Sequence, residues 1–271
     1  MLIDTSGKNL PNVLYHYSDL ETLYNITISK KLWLSSIHYM SDKSELNHGI
    51  AIAQKVLSNL KKDYPLKVEF YNKFKDYLNI LPALSADVFS FSLTEEGNLL
   101  SQWRGYTQKN RGISIGFDGT KLKEKASPNG IQLKKVIYDF DEKYEAIKVA
   151  VDSVVDNYSS DKGSFDSYFT AQSESLIMTL SLIKDKAFME EKEHRLFFVG
   201  KHGDIKYRLG KVFMIPYTEM DISNLNEDGT IYKQVILGPH DYPDIASSSL
   251  LRFLGSQKAC FIVVNSMVPL R

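Results

Sequence analysis

Two glutamates two residues apart, Glu191 and Glu193 in MEEKEHRLFF, are the first residues here whose types and spacing could do chemistry. If a strand begins by Glu191, both carboxylates share one of its faces. A carboxylate beside a cleft can stabilise an oxocarbenium-like centre, or align a nucleophile, while a glycosidic bond breaks. His16 closes the short strand VLYHY just before a helix start, a place where ligands often sit. Its imidazole could hydrogen-bond a ribose or a diphosphate; the structural alternative is a half-buried ring bonded to a neighbouring carbonyl. In VFSFSL, period two puts Phe89, Phe91 and Leu93 on one face and Ser90 and Ser92, with Val88, on the other. Two hydroxyls on one strand suit a polar ligand lying across a sheet. The loop that follows carries Trp103, Arg104 and Tyr106: flat faces for stacking a base or nicotinamide, and a fixed fork for phosphate or carboxylate.

Other chemistries lack their residues. There is no phosphate-cradling glycine loop, no dinucleotide fingerprint, no HExxH, no GxSxG and no nuclease-like acidic cluster. The six histidines are scattered, none at helical metal-ligand spacing, and no metal is expected. The single cysteine, Cys260, excludes an internal disulfide and reads as a buried thiol in ACFIVV. The 33 basic and 33 acidic residues balance, so no global field draws the chain to nucleic acid or membrane. The basic pairs Lys30-Lys31, Lys61-Lys62 and Lys134-Lys135 read as solvated faces rather than a groove. The start MLIDTSGKNLPN is no secretion signal and no stretch approaches a membrane span, so a cytoplasmic protein is expected.

The elements that must hold these residues follow from periodicity. Strands are expected at Val13–Tyr17, 30–35, 88–93, 112–117, 131–138, 195–199, 207–216, 231–237 and 259–264. Ser18 and Glu21 form a capping box for a first helix, and Asp42 with Glu45 another start. Leu46, Ile50, Ala53, Leu57 and Leu60 mark one helix face. Phe70, Phe74, Tyr77, Leu78 and Leu81 mark the next, ended by Pro82; both stripes read as core. Three more helices are expected, from Tyr144 to Tyr158, from about Phe165 to Phe188 and, shorter, from Asp244 to Leu254. The alternation is too irregular for a doubly wound sheet. The expectation is therefore α+β: one domain over 1–271 with a mixed, largely antiparallel sheet, flanking helices and a helical insert at about 141–190.

The segments LYHYSDLETLYNITISKKLWLSS, SDKSE, FSFSL, LLSQWRGY, GISIGF, KEHRL and NSMVPLR occur in an order that resembles an uncharacterised bacterial domain family. That family is in turn similar to the ADP-ribosyltransferase fold, whose split sheet binds NAD. The resemblance implies NAD as substrate, with no metal. It puts the NAD-gripping residue of the first strand on His16, beside Tyr17, and the serine motif on Ser90 and Ser92. Trp103, Arg104 and Tyr106 would complete the NAD site. The E-x-E falls on Glu191 and Glu193, with Glu193 as the catalytic carboxylate. The implied activity is transfer of ADP-ribose to a protein or nucleic-acid acceptor, in a phage-defence or toxin setting with a possible neutralising partner. The alternative is a non-catalytic module that binds a nucleotide or a partner in the same cleft.

Overall fold

A computed structural model describes residues 10–39, 43–63, 68–84, 88–156, 175–200, 205–210, 212–223, 231–260 and 262–269. The strands are β1 (Val13–Asp19), β2 (Lys31–Ser36), β3 (Val88–Thr94), β4 (Gly112–Asp118), β5 (Gln132–Lys135), β6 (Glu193–Val199), β7 (Lys206–Leu209), β8 (Met214–Asp221), β9 (Tyr232–Leu237) and β10 (Val263–Asn265). The helices are α1 (Leu20–Ser29), α2 (Lys43–Asp63), α3 (Val68–Leu84), α4 (Leu100–Tyr106), α5 (Gly119–Ala126), α6 (Phe140–Asp156), α7 (described over 175–180) and α8 (Pro243–Ser256). All strand pairings are antiparallel except β10 on β9. The fold is therefore the expected mixed α/β architecture with a mostly antiparallel open sheet and flanking helices.

The sheet runs β10-β9-β4-β1-β3-β2-β8-β7, and β6 and β5 branch from β3. Strand β1 stands between β3 and β4, so the serine strand and GISIGF do not form a hairpin. On one edge β3 pairs with β6 along its full length, Val88 to Thr94. On the other edge it touches β2 only at Phe89 and Ser90, and β1 only at Thr94. Between these contacts β1 and β2 diverge, and Phe91–Leu93 faces a gap with no strand partner among the described residues.

Alternation along the strands assigns the two faces. Leu14, Leu32, Leu34, Phe89, Phe91, Leu93, Ile113, Ile115 and Leu196 pack in one core with Leu23 and Ile26 of α1, Leu122 of α5, and Leu250 and Leu254 of α8. The opposite face meets the helical side. There Ile50, Ala53 and Leu57, Phe70, Phe74 and Leu78, Ile147 and Val151, and Leu176 and Leu180 share a second core with Val88. The helical stripes are core packing, as read. Among the described residues no helix is long and apolar enough to cross a membrane.

Several boundaries differ from expectation for local reasons. Strand β1 continues to Asp19, whose carboxylate caps α1 by accepting from the Thr22 N–H at 2.8 Å, in place of Ser18. Pro82 does not end α3, which runs to Leu84. The stretch expected as one strand over 207–216 is split into β7 and β8, paired as a hairpin. Trp103, Arg104 and Tyr106 lie on a short helix, not in a loop. The helix expected to reach Phe188 has already ended by Ser181: Ile183 forms a parallel bridge with Ile137, and a 3-10 helix follows over Lys186–Glu191. The start expected at Phe165 lies outside the described residues.

Candidate functional site

A cavity of about 610 Å³ opens at the gap in the sheet and is lined by His16, Ser90, Ser92, Tyr106, Glu191 and Glu193, among others. Six candidates separated by up to 177 positions thus face one space, because the sheet places them there. Ser90, Ser92 and Thr94 face away from the Phe91 core. In register beside them stand Phe197, Arg195 and Glu193 of β6.

His16 lies at the edge of the gap. Its ring stacks on Phe91, with centroids 4.1 Å apart and planes 26° apart. Its Nδ1 lies 2.9 Å from the Ser92 carbonyl oxygen. A carbonyl only accepts, so Nδ1 carries the proton and Nε2 keeps its lone pair. The half-buried alternative was therefore right about the hydrogen bond. It does not exclude a ligand role, because the ring also lines the cavity. Burial pushes the His16 pKa down to about 4, partly offset by the Ser92 carbonyl, so the ring is neutral at physiological pH.

The two glutamates meet by another route than strand alternation. Glu191 ends the 3-10 helix, Lys192 turns the chain in the left-handed region (φ 42°), and β6 begins only at Glu193. Their carboxylates converge on one cation: Lys184 Nζ lies 2.6 Å from Glu191 Oε2 and 3.1 Å from Glu193 Oε2. Arg195, two residues along the strand on the same face, donates from Nε and Nη2 to both oxygens of Glu193, at 2.7 and 3.0 Å. Its Nη1 donates to the Ser181 carbonyl at 2.7 Å. The Tyr106 hydroxyl donates to Glu191 Oε1 at 3.3 Å. Thr94 Oγ1 donates to the Glu191 carbonyl, and the Tyr138 hydroxyl accepts from the Glu193 N–H at 2.9 Å.

This is a buried, charge-balanced cluster of two carboxylates and two cations. Burial alone would raise the Glu193 pKa, but the Arg195 guanidinium and then Lys184 more than offset it and hold the carboxyl at about 2. Burial also pushes the Tyr106 hydroxyl up to about 12, so it stays a hydrogen-bond donor.

Of the remaining candidates, Trp103 and Arg104 fall elsewhere. Trp103 is 1% exposed and packs edge-on against Tyr17, centroids 4.7 Å apart, away from the cavity. Its Nε1 donates to Asn98 Oδ1 at 2.9 Å, and Ser266 Oγ reaches the same oxygen at 2.6 Å. The LLSQW segment and the NSMVPLR tail are thereby joined in structure, and Trp103 is an anchor, not a stacking shelf. Arg104, one position on, points to the surface with no carboxylate partner among the described residues. The side chains of Asp42 and Glu45 lie outside those residues. Tyr17 borders the cavity, but its hydroxyl is engaged, donating to the Glu96 carbonyl and accepting from the Leu99 N–H, each at 2.8 Å. The Tyr15 ring, Val13 and Gln234 crowd the position beside Gly116.

Sequence reading missed Lys184, Gln102 and Arg208, which also line the cavity. Arg208 was legible as the alternate residue of KYRL, facing opposite to Tyr207 and Leu209. Gln102 is the residue four before Tyr106, on the same face of α4. Lys184 had no signal, since it follows an early helix end. Among the described residues, no group of histidine, cysteine and carboxylate side chains could hold a metal.

Comparison with curated proteins and with solved structures finds no match to this chain. Residues 102–196, which include Trp103, Lys184, Glu191, Glu193 and Arg195, match the model of a family described as a protein of unknown function (DUF2971), and this bears out the resemblance to an uncharacterised family.

Proposed function

We propose that this protein is an NAD-consuming ADP-ribosyltransferase working in the cytoplasm. The observation that carries the reading is an ionised carboxylate, Glu193, in one cavity with the neutral His16 and the serine strand, at a gap between strands. In this reaction the bond from the ribose C1′ to the nicotinamide nitrogen breaks. The electron pair leaves with nicotinamide, and positive charge develops on the ribose. Glu193, held deprotonated, stabilises that charge. Oε2 already accepts from both Arg195 and Lys184, but Oε1, which accepts from Arg195 Nε, keeps lone-pair capacity to accept from a ribose hydroxyl. The Nε2 lone pair of His16 accepts from a second hydroxyl. Glu191 takes the proton of the attacking nucleophile, a group on protein or nucleic acid. The split sheet and the E-x-E support the likeness to the ADP-ribosyltransferase fold.

One observation favours a second reading, a binding module without turnover. Both carboxylates already sit in a closed network with Lys184 and Arg195, as in a structural cluster. Incubation of the pure protein with NAD, with and without cell lysate, decides by measurement of free nicotinamide. Release supports the transferase; NAD binding by calorimetry without release supports the module.

A further inference from the structure

The cavity has a second end that the transferase reading does not use. Arg208, on the pocket side of β7, donates from Nε and Nη2 to Ser35 Oγ at 3.3 and 3.2 Å, and among the described residues it has no carboxylate partner. This differs from Arg195 and Lys184, whose charges are matched. It also differs from Lys31 nearby, which pairs with Glu219 at 2.6 Å. A half-buried guanidinium bonded, among the described residues, to a hydroxyl alone can take an anion.

The surroundings fit one. Ser35 is the direct cross-strand partner of Ser90, so both hydroxyls stand on the same face. Ser90 is 3% exposed, and its Oγ has no hydrogen-bond partner, although it lines the cavity. A buried hydroxyl that faces the cavity without a protein partner is free to donate to a ligand group. Beside them Trp33 lines the cavity and stacks on Tyr217 with centroids 4.5 Å apart, a rigid flat wall.

We propose that Arg208, Ser35 and Ser90 form a phosphate subsite for a diphosphate-bearing small molecule. Trp33 is the wall on which its attached ring rests. The bidentate fork of Arg208 takes two phosphate oxygens, and the two serine hydroxyls donate to others. From strand spacings of about 5 Å and residue rises of about 3.4 Å, Ser35 lies on the order of 10 Å from Arg195 across two strands and two residues. One ligand can therefore reach from this end to Glu193. The link to NAD rests on the proposed transferase function; the phosphate subsite does not.

The test is calorimetric titration of the full chain with inorganic pyrophosphate, ADP and adenosine, in wild type, Arg208→Ala and Arg208→Lys. The expected result is that wild type binds pyrophosphate and ADP, and that Arg208→Ala weakens both roughly tenfold or more, the loss of a charge-assisted pair. Arg208→Lys, which keeps the charge without the fork, should fall between, and adenosine should bind all three proteins alike. Melting curves establish that the variants are folded. If wild type ignores both phosphates, or if folded Arg208→Ala and Arg208→Lys bind them as wild type does, the subsite is wrong. The outcomes separate from those of the transferase reading. Pyrophosphate binding through Arg208 without nicotinamide release keeps the subsite and sinks the transferase. Nicotinamide release with the same KM in Arg208→Ala as in wild type sinks the subsite and keeps the transferase.

Discussion

Glu193 and Arg195 face each other two residues apart on one strand, side-on, through Nε–Oε1 and Nη2–Oε2 contacts of 2.7 and 3.0 Å. With Lys184 on the other side, loss of this charge removes a carboxylate that two cations share. Glu193→Gln should therefore lower stability by about 3–5 kcal/mol, the cost of breaking a buried pair. Nicotinamide release should also fall by roughly a hundredfold. Adding Lys184→Met restores the charge balance; the double variant should regain much of the stability but none of the activity. Denaturation midpoints and nicotinamide assays on the four proteins of this cycle check both halves. Recovery of activity in the double variant would mean that Glu193 acts only as a counter-ion.

Acid should destabilise the protein in two windows. The folded pKa of His16 is lowered to about 4 from an ordinary 6.5. The unfolded chain therefore binds a proton that the folded chain refuses, and stability falls as pH drops from 6.5 toward 4. The folded pKa of Glu193 is lowered to about 2 from 4.5, so its stabilising contribution is complete above 4.5 and is lost as pH falls toward 2. Each shift corresponds to on the order of 3 kcal/mol. Urea unfolding at pH steps from 7 to 3 should reveal both. In His16→Asn the upper window should disappear and the lower one remain.

His16 joins two jobs that different substitutions can part. Asparagine puts an N–H near the position of Nδ1 and can keep the bond to the Ser92 carbonyl, but it has nothing where Nε2 stood. His16→Asn should melt within a few degrees of wild type and release nicotinamide far more slowly. His16→Ala should lose the hydrogen bond as well and cost a further 1–3 kcal/mol or so, because a buried carbonyl is left unpaired. Equal activity in wild type and His16→Asn would remove Nε2 from the mechanism.

Trp103 should behave as core. A Cβ added at Gly238 would lie 2.9 Å from both the Trp103 ring and the Gly112 carbonyl oxygen. Gly238→Ala should therefore cost about 1–3 kcal/mol by overpacking, and Trp103→Ala about 3–5 kcal/mol by leaving a cavity. Neither should change the affinity of the folded protein for ADP or NAD, measured at a temperature where the variant is native. An affinity loss in the Trp103 variant without a stability loss would return that ring to the binding site.

The serine strand was legible in the sequence because alternation is a local rule. Phe89, Phe91 and Leu93 had to bury together, so Ser90 and Ser92 had to face the other way. His16 and the carboxylate pair stood out as polar groups at strand ends. The neighbours that give these groups their charge and tautomer were not legible. Lys184 reaches the glutamates because α7 ends early and Ile183 docks beside Ile137, a long-range contact that no periodicity encodes. Trp103 and Arg104 were misread through the same gap: as a loop, either could have met a ligand. On a helix turn, burying one aims the next outward.

Among the described strands, every backbone hydrogen-bonded path from β10-β9-β4-β1 to the rest of the sheet passes through β3 and its single bridge, Tyr15 to Thr94. The backbone ladder thus falls into two blocks joined at one residue pair, with His16 beside it, while Leu14 and Ile113 of one block share a core with Leu32 and Phe89 of the other. Where the ladder is this thin, amides of β1 and β4 should exchange hydrogen at different rates from those in β2 and β8. A molecule lodged in the gap would join them, and its binding should appear as slowed exchange in both blocks at once.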